Sequence, residues 1–332
     1  MEDQIRQRYS DAILREVKLR YEIPSEAIRL LDGFESFIYE FDKQDRAYVL
    51  RISHTLRRSI NLIQGEVDWI NFLSAGGASV ARAVPSIQGH LVEVVEDGSG
   101  GQFLATAFDK APGGPPGKDS LDANLFFQHG RQMGRMHAIT RLYHPLNEAS
   151  RRPDWNDPEM MFAERWLGPK DQTTLDRYWI LRAYLEKLTV EEAGYGLIHQ
   201  DAHYGNFFVD TAGRITLFDF DDCCYSWFMN DIAIVLFYAV LGQVDGPVFT
   251  REFMSHFLRG YQQENNLDQK WFKEIPYFLK LREIDLYAVI HRSFDVENLE
   301  DPWVAYYMRG RKQRIEEDIP FIDFDFEELS GF

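Results

Sequence analysis

The stretch that decides the fold is HQDAHYGNFFVD at positions 199–210, followed by RITLFDFDD at positions 214–222. Its runs NFFVD and RITLFDF have strand character and are joined by a turn at TAG, which predicts a β-hairpin. Asp201 lies in the loop just before the first strand, Asn206 follows five residues later, and Asp219 lies at the end of the second strand. Because a hairpin brings its two ends together, we expect these three side chains to converge.

The side chains at this hairpin suit phosphoryl transfer. Amide and carboxylate oxygens, such as those of Asn206 and Asp219, are the hard ligands that Mg²⁺ prefers. A further carboxylate, that of Asp201, can orient an attacking hydroxyl and accept its proton. Each residue alone is as readily explained as a turn or capping residue. The three together at this spacing favour the catalytic interpretation.

The same residues resemble a known group of enzymes. His199-x-Asp201-x-x-x-x-Asn206, followed by Asp219-Phe220-Asp221, is similar to the catalytic motif of the protein-kinase-like superfamily. With His203 and Gly205 the loop reads HxDxHxGN, which resembles the aminoglycoside phosphotransferase and choline kinase branch. The resemblance implies an α+β, two-lobed, protein-kinase-like fold, with a small antiparallel sheet in the first lobe and a mostly helical second lobe.

The resemblance also implies a role for each matching residue. Asp201 would be the catalytic base, and Asn206 and Asp219 would hold Mg²⁺ beside ATP. Asp231, in the segment NDIA, matches an aspartate that supports the catalytic loop. The other residues given supporting roles are His199, His203 and Asp221.

A nucleotide site is predicted in the sheet-rich first part of the chain. Alternation in AYVLRI at 47–52 places Arg51 where kinases keep a basic residue on a strand to hold phosphates. Glu66 on the following helix is its expected partner, although the two could instead be an ordinary surface pair. Arginine in place of lysine departs from the protein kinase pattern and changes the geometry of the phosphate contact.

Two further segments complete the predicted nucleotide site. The loop Asp32–Phe37 is expected to cover the phosphates through backbone amides near Ser36, although it has a single glycine. Phe108 ends the segment that is expected to offer backbone groups to adenine, by the same resemblance.

The chain is expected to divide into a nucleotide-binding lobe at 1–108, with a leading helix at 3–20, and a helical lobe at 109–332 that carries the catalytic loop and the substrate site. The first lobe shows strand-like runs around one helical stretch, 59–75, and we expect a five-stranded antiparallel sheet there. The proline- and glycine-rich loop APGGPPGKD at 111–119 is the strongest break in the chain. Long helical patterns follow it.

The charge balance excludes some classes of partner. With 36 basic and 53 acidic residues the chain carries a net charge of -17. Nucleic acid and anionic membranes are bound chiefly through Lys and Arg, so neither is an expected partner. The acidity could favour a cationic acceptor, with Glu283 or Asp285 lining its site, or could simply keep the protein soluble.

A cytoplasmic location is expected from three features. The two cysteines, Cys223 and Cys224, are adjacent, and neighbouring cysteines rarely form a disulfide. The first twenty residues are charged throughout, unlike a secretory signal. The most apolar run, at 232–240, is too short to cross a bilayer.

These observations predict an ATP- and Mg²⁺-dependent phosphotransferase that acts on a hydroxyl of a small molecule. Aminoglycosides, other amino-alcohols and sugars are all candidate acceptors, and the oligomeric state is left open. A non-catalytic nucleotide-binding module is one alternative. A protein kinase is another, although the chain has no Ala-Pro-Glu segment and no long activation loop. A zinc site around His199 and His203 is the third, but no further cluster of ligands completes a zinc sphere.

Overall fold

The computed structural model describes residues 2–24, 26–31, 33–117, 121–158, 160 and 163–331. The chain forms two compact units. The sheet unit comprises Met1–Gly114, Leu142–Arg152 and Phe208–Asp221. The helical unit comprises Pro115–Arg141, Pro153–Phe207 and Asp222–Phe332. These bounds differ from the predicted 1–108 and 109–332, because two later segments, 142–152 and 208–221, belong to the first unit.

The sheet unit contains three α-helices among its described residues: α1 (Asp3–Arg8), α2 (Asp11–Tyr21) and α3 (Ile60–Ala75). Its main antiparallel sheet has the strands β1 (Ile28–Leu31), β2 (Phe37–Lys43), β3 (Arg46–His54), β4 (Ala83–Val84), β5 (Glu93–Glu96) and β6 (Gln102–Asp109). The order is β1-β2-β3-β6-β4, with β5 also paired to β6. The expected number of five strands is therefore wrong for the described residues, because two short strands, β4 and β5, share one edge of β6.

The hairpin β2–β3 places Arg51 as the sequence predicts. Lys43 pairs with Arg46, and the two residues of the turn, Gln44 and Asp45, both have positive φ. Such a turn matches the twist of the flanking strands and fixes their register. Arg51 then lies opposite Ile38 on one side and Thr106 on the other.

The leading helix predicted over residues 3–20 is interrupted at Tyr9 and Ser10. The Tyr9 ring stacks on Phe37 at a centroid distance of 3.7 Å, and its hydroxyl lies 2.8 Å from that of Tyr39. The extended backbone at Tyr9 thus lets its side chain pack on the sheet. Two short helices result in place of one.

The helical unit contains seven α-helices in the described part of the chain: α4 (Ala123–Thr140), α5 (Gln172–Leu185), α6 (Phe228–Val240), α7 (Gly246–Tyr261), α8 (Ile275–Ser293), α9 (Pro302–Met308) and α10 (Arg311–Glu316). Helix α6 is mostly apolar and almost wholly buried, as a central helix should be. Helices α4 and α7 approach closely, because a Cβ atom on Gly130 would lie 1.9 Å from the Phe257 carbonyl oxygen.

The predicted catalytic hairpin is present, with β8 (Phe207–Val209) paired to β9 (Ile215–Leu217). A second pair that the sequence did not suggest, β7 (Tyr195–Ile198) with antiparallel β10 (Cys224–Trp227), brackets the whole catalytic stretch. The residues that flank this stretch on both sides are therefore anchored to each other by backbone hydrogen bonds within the helical unit.

Cys223 and Cys224 are buried and form no disulfide. Among the described helices, none is both long enough and apolar enough to cross a bilayer.

Candidate active site

The loop that carries Asp201 is anchored by a buried aspartate on α6. The Asp231 carboxylate accepts hydrogen bonds from the backbone N–H groups of His199 and Gln200, both at 3.0 Å. It also lies 3.0 Å from Nε2 of His137, whose Nδ1 lies 2.9 Å from the Tyr261 hydroxyl. Asp231 and His137 are fully buried. The structural role that the resemblance implies for Asp231 therefore has a physical basis.

Both oxygens of the Asp201 carboxylate have partners. Asn206 donates from Nδ2 to Oδ2 at 2.9 Å and to the Asp201 carbonyl oxygen at 2.9 Å, and Nε2 of His203 lies 3.3 Å from Oδ2. The Arg282 guanidinium, from α8, donates to Oδ1. It also donates to the Tyr238 hydroxyl at 2.6 Å. The carboxylate is therefore held in one orientation.

This environment keeps Asp201 ionised. Burial by itself would raise the pKa of Asp201, but the Arg282 guanidinium opposes it, with smaller contributions from His203 and His199. The resulting pKa lies well below the usual range of an aspartate. At neutral pH the side chain is a carboxylate, which can accept a hydrogen bond from an acceptor hydroxyl.

The histidines of the loop shape its backbone. His199 is fully buried, and its Nδ1 accepts the Asp201 N–H at 3.3 Å. Nδ1 of His203 accepts the Gly205 N–H at 2.9 Å. A Cβ atom at Gly205 would lie 2.6 Å from the His203 ring, so the glycine allows the ring to approach. Of the described residues, none from this loop belongs to a cluster of three metal-binding side chains, so the zinc alternative has no support here.

The predicted pair of Arg51 and Glu66 is confirmed in the sheet unit. Two hydrogen bonds of 2.8 and 2.6 Å join the guanidinium to both carboxylate oxygens, and both side chains are buried. The alternative of a surface pair is wrong. The guanidinium carbon also lies 5.2 Å from the centre of the Phe108 ring, so the predicted adenine-side residue contacts the predicted phosphate ligand.

Asp221 is the centre of a cluster of arginines in the same unit. Arg57 donates to its carboxylate, and Arg51 and Arg58 each have a nitrogen 3.8 Å from it. Arg152 donates to its backbone carbonyl oxygen at 2.8 Å. Burial would raise the pKa of Asp221, but the guanidinium groups, that of Arg57 foremost, hold it well below the usual range. The sequence suggested a supporting role for Asp221 and gave no sign of these partners.

The predicted phosphate-covering loop is only partly described. Asp32, its first residue, lies outside the described residues, as do the last two positions of the 111–119 loop, Lys118 and Asp119. Ser36 is buried, and the neighbouring Glu35 carboxylate pairs with Arg57. The loop is thus tied to the arginine cluster through Glu35.

Asp219 lies in the sheet unit, where its charge acts on the Arg51 guanidinium. Its φ of +65° is a conformation that non-glycine residues adopt only at a cost. Such strain two residues after the end of β9 fits a functional position. The convergence of Asp219 with Asp201 and Asn206 stays a prediction, because those two residues belong to the helical unit.

Helix α8 carries the acids that were expected to face an acceptor. Glu283 is fully buried, with Lys280 donating to it at 2.6 Å and Arg311 pairing with its other oxygen. It is therefore a structural residue. Asp285 is half-buried and has no hydrogen bond or close ion pair with any described residue. Burial raises its pKa to about 7, against the opposing charge of Arg282.

Sequence reasoning missed Arg282, Tyr238 and His137. Arg282 and Asp285 are three residues apart on one helix and so lie on the same face, and this spacing was the available signal. No local pattern marked His137 or Tyr238, which lie far along the chain from Asp201.

Comparison with known proteins agrees with this geometry. Residues 26–269 match the phosphotransferase enzyme family. The chain belongs to this family. Amicoumacin kinase of Bacillus subtilis (strain 168) is 38% identical over 326 residues, which cover 97% of this chain and 96% of that protein.

Solved structures give the same result. Amicoumacin kinase hAmiN, in complex with AMP-PNP, Ca²⁺ and Ami, matches with a TM-score of 0.94 and 37% identity, over 99% of this chain and 100% of that one. A microcompartment-associated aminopropanol kinase shares the fold, with a TM-score of 0.71 and 22% identity over 93% and 97% of the two chains. The predicted α+β protein-kinase-like fold is confirmed, and so is the reaction class, an ATP-dependent small-molecule phosphotransferase.

Proposed function

We propose that this phosphotransferase acts on an amicoumacin-type antibiotic, by transferring the γ-phosphoryl group of ATP to one of its hydroxyls with the help of Mg²⁺. The observation that carries the proposal is an ionised, doubly anchored Asp201 in a chain that is 38% identical to an amicoumacin kinase over nearly its whole length. The hAmiN complex, with its nucleotide analogue and divalent cation, supports the same choice of ligands.

In the proposed reaction Asp201 is the catalytic base. Its carboxylate accepts a hydrogen bond from the acceptor hydroxyl and takes its proton as the oxygen attacks the γ-phosphorus. A bond forms between that oxygen and phosphorus, the bond from phosphorus to the β-γ bridging oxygen breaks, and ADP leaves. The proton then passes from Asp201 to solvent. An ionised carboxylate has about four lone-pair positions, so room for the hydroxyl remains beside the Asn206, His203 and Arg282 contacts.

The nucleotide contacts are assigned to the sheet unit. The buried Arg51 guanidinium is held rigid by Glu66 and is proposed to contact the phosphates. Backbone amides near Ser36 are proposed to cover them, and Phe108 to lie beside the adenine. Arginine presents a planar fork of donors that suits phosphate oxygens.

The proposed metal ligands fit a hard divalent cation. Both N–H donors of the Asn206 amide are directed to Asp201, which leaves its carbonyl oxygen for a metal. Asp219 supplies a carboxylate, and amide and carboxylate oxygens are the ligands that Mg²⁺ prefers. Mg²⁺, when bound, neutralises negative charge on the phosphoryl oxygens.

The acceptor is proposed to carry a positive charge near Asp285. This carboxylate lies on the same face of α8 as Arg282, which contacts Asp201, and it has no close partner among the described side chains. A half-buried carboxylate without a partner is costly for folding, and an ammonium group of the acceptor would supply that partner. The net charge of -17 would also concentrate a cationic acceptor.

A cytoplasmic location is also proposed, on the evidence of the two cysteines alone. The buried thiols of Cys223 and Cys224 form no disulfide, which suits a reducing compartment.

The test is ADP release from Mg-ATP in the presence of amicoumacin and of matched acceptor pairs, such as an amino-alcohol and the diol of the same length. Amicoumacin-dependent ADP release with a phosphorylated product in the mass spectrum is the expected result. Preference for the diols, or turnover of none of these compounds, would overturn the proposed acceptor. The family assignment would stand in either case.

A further inference from the structure

We propose that Arg282 is a positioning residue for the transfer reaction, which acts by fixing the orientation of the Asp201 carboxylate. This inference rests on the proposed function in one respect only, namely that Asp201 is the catalytic base. Every contact on which it depends lies within the helical unit.

The contacts of Arg282 point to the reaction centre. Its Nη2 atom donates both to Oδ1 of Asp201 and to the Tyr238 hydroxyl, which lies at 2.6 Å. Its guanidinium carbon lies 5.1 Å from the centre of the Tyr238 ring, so the ring restrains the plane of the guanidinium. The same ring lies 4.4 Å from that of His203. Tyr238 therefore braces two of the groups that hold Asp201.

The two carboxylate oxygens of Asp201 have different partners, and this explains why Arg282 is needed in addition to Asn206 and His203. Asn206 and His203 both contact Oδ2, and they lie in the same loop as Asp201. Because both partners belong to the same loop, their contacts do not tie the carboxylate to any element outside that loop. Arg282 holds the other oxygen from a different element, α8. The charged hydrogen bond it makes is also stronger than a neutral one.

Arg282 differs from the structural arginines of this chain. Arg152 donates to the backbone carbonyl oxygens of Leu62 and Asp221, and Arg311 pairs with the buried Glu283. Arg282 instead contacts the carboxylate of the catalytic motif and keeps a buried Nε–H without a hydrogen-bond partner in the described part of the chain. Of these three arginines, Arg282 is therefore the one that contacts the proposed catalytic base.

The experiment compares Arg282→Ala, Arg282→Lys and Tyr238→Phe with wild type, by ADP release and by Mg-ATP binding. We expect Arg282→Ala to lower kcat about 100-fold, within the range of general-base effects, with a change in the KM for ATP of no more than about 2-fold. Arg282→Lys should recover part of kcat, and Tyr238→Phe should lose less than Arg282→Ala. Arg259→Ala, which removes an exposed arginine from α7, is the matched control and should keep wild-type kcat.

Two readouts separate positioning from general structural damage. Added methylguanidine should restore part of kcat to Arg282→Ala, and a damaged fold would not respond to it. In an Asp201→Asn background the Arg282→Ala change should cost no more than about 2-fold, because residues that act as a unit are not additive. A full second loss in the double variant, or no rescue by lysine or methylguanidine, would overturn the inference.

A crystal structure of Arg282→Ala gives a result that does not depend on turnover. The Asp201 carboxylate should rotate away from its wild-type orientation or become disordered, while the loop anchored by Asp231 keeps its backbone. An unchanged carboxylate would overturn the inference even if no acceptor were found. Absence of turnover in wild type would instead contradict the proposed function, so the two failures can be told apart.

Discussion

The chain contains two arginine–carboxylate pairs with opposite designs. Arg51 and Glu66, in the sheet unit, share two hydrogen bonds and leave no carboxylate oxygen unpaired. In the helical unit, Arg282 donates to one carboxylate oxygen of Asp201. Asn206 and His203 contact the other oxygen. The first pair is saturated and buried, and the second is partly exposed, with an Asp201 side chain 23% accessible.

The difference teaches what each pair is for. A bidentate buried pair holds two side chains rigidly and has little capacity left for a further ligand, except where the guanidinium extends beyond the carboxylate. A guanidinium that bonds to only one carboxylate oxygen orients the carboxylate and leaves lone pairs for a substrate hydroxyl. The saturated pair therefore suits a fixed part of a nucleotide site, and the open pair suits a reaction centre.

The largest effect should come from removing the carboxylate of the open pair. Asp201→Asn should lower kcat by about 10³-fold, within the range for general bases, because the amide cannot take the proton. Mg-ATP affinity, measured by calorimetry, should stay near the wild-type value. Turnover at the wild-type rate would contradict the role of Asp201.

The saturated pair should show its importance in stability as well as in binding. Arg51→Ala leaves Glu66 buried and unpaired, and breaking a buried pair costs about 3–5 kcal/mol. We expect a lower melting temperature and weaker ATP binding, with Glu66→Ala showing the same changes less severely. The double variant should lose less than the sum of the single losses. A coupling energy of zero in that cycle would show that the pair does not act as a unit.

Asp219 belongs to neither pair, and Asp219→Ala tests its assignment as a metal ligand. Removing a carboxylate ligand should weaken Mg²⁺-dependent nucleotide binding by at least about 10-fold, since even outer residues of metal sites cost that much. Nucleotide binding measured in EDTA should change little. Equal Mg-ATP affinities for the variant and wild type would show that Asp219 does not ligate the metal.

The smallest effect is expected at Asp285, the carboxylate that has no close partner among the described residues. The groups that act on Asp285 are Arg282 on its own helix and Tyr178 on α5. Its native pKa is about 7, raised by burial from an ordinary value near 4. The unfolded chain therefore binds fewer protons between pH 4 and 7, and stability falls as pH rises through that window.

Asp285→Asn removes this titration, so it should melt at a higher temperature than wild type above pH 7, with a difference that shrinks towards pH 4. The same variant should raise the KM for a cationic acceptor and leave the KM for ATP unchanged. Asp176→Asn, an exposed position on α5, is the charge-matched control and should do neither. A difference in melting temperature that does not vary with pH would contradict the raised pKa.

Local patterns predicted some of these features well. The alternation in β3 and the helix after it placed Arg51 opposite Glu66, since both residues are close in sequence and their elements are adjacent. The turn between β8 and β9 was equally local. The number of sheet strands was predicted wrongly, because β4 and β5 both pair with the same edge of β6, and that pairing depends on distant residues. The unbroken leading helix was also wrong, because Tyr9 packs on a distant residue, Phe37.

What the sequence by itself determined is the reaction class, because the residues of the catalytic motif lie within 23 positions, from His199 to Asp221, and their types fit one chemistry. Tertiary structure decided how Asp201 is held. Arg282 lies 81 positions from Asp201, and His137 lies 94 positions from Asp231. Such contacts depend on how helices pack, and no periodicity within one element reports which side chain a neighbouring element will bring to it.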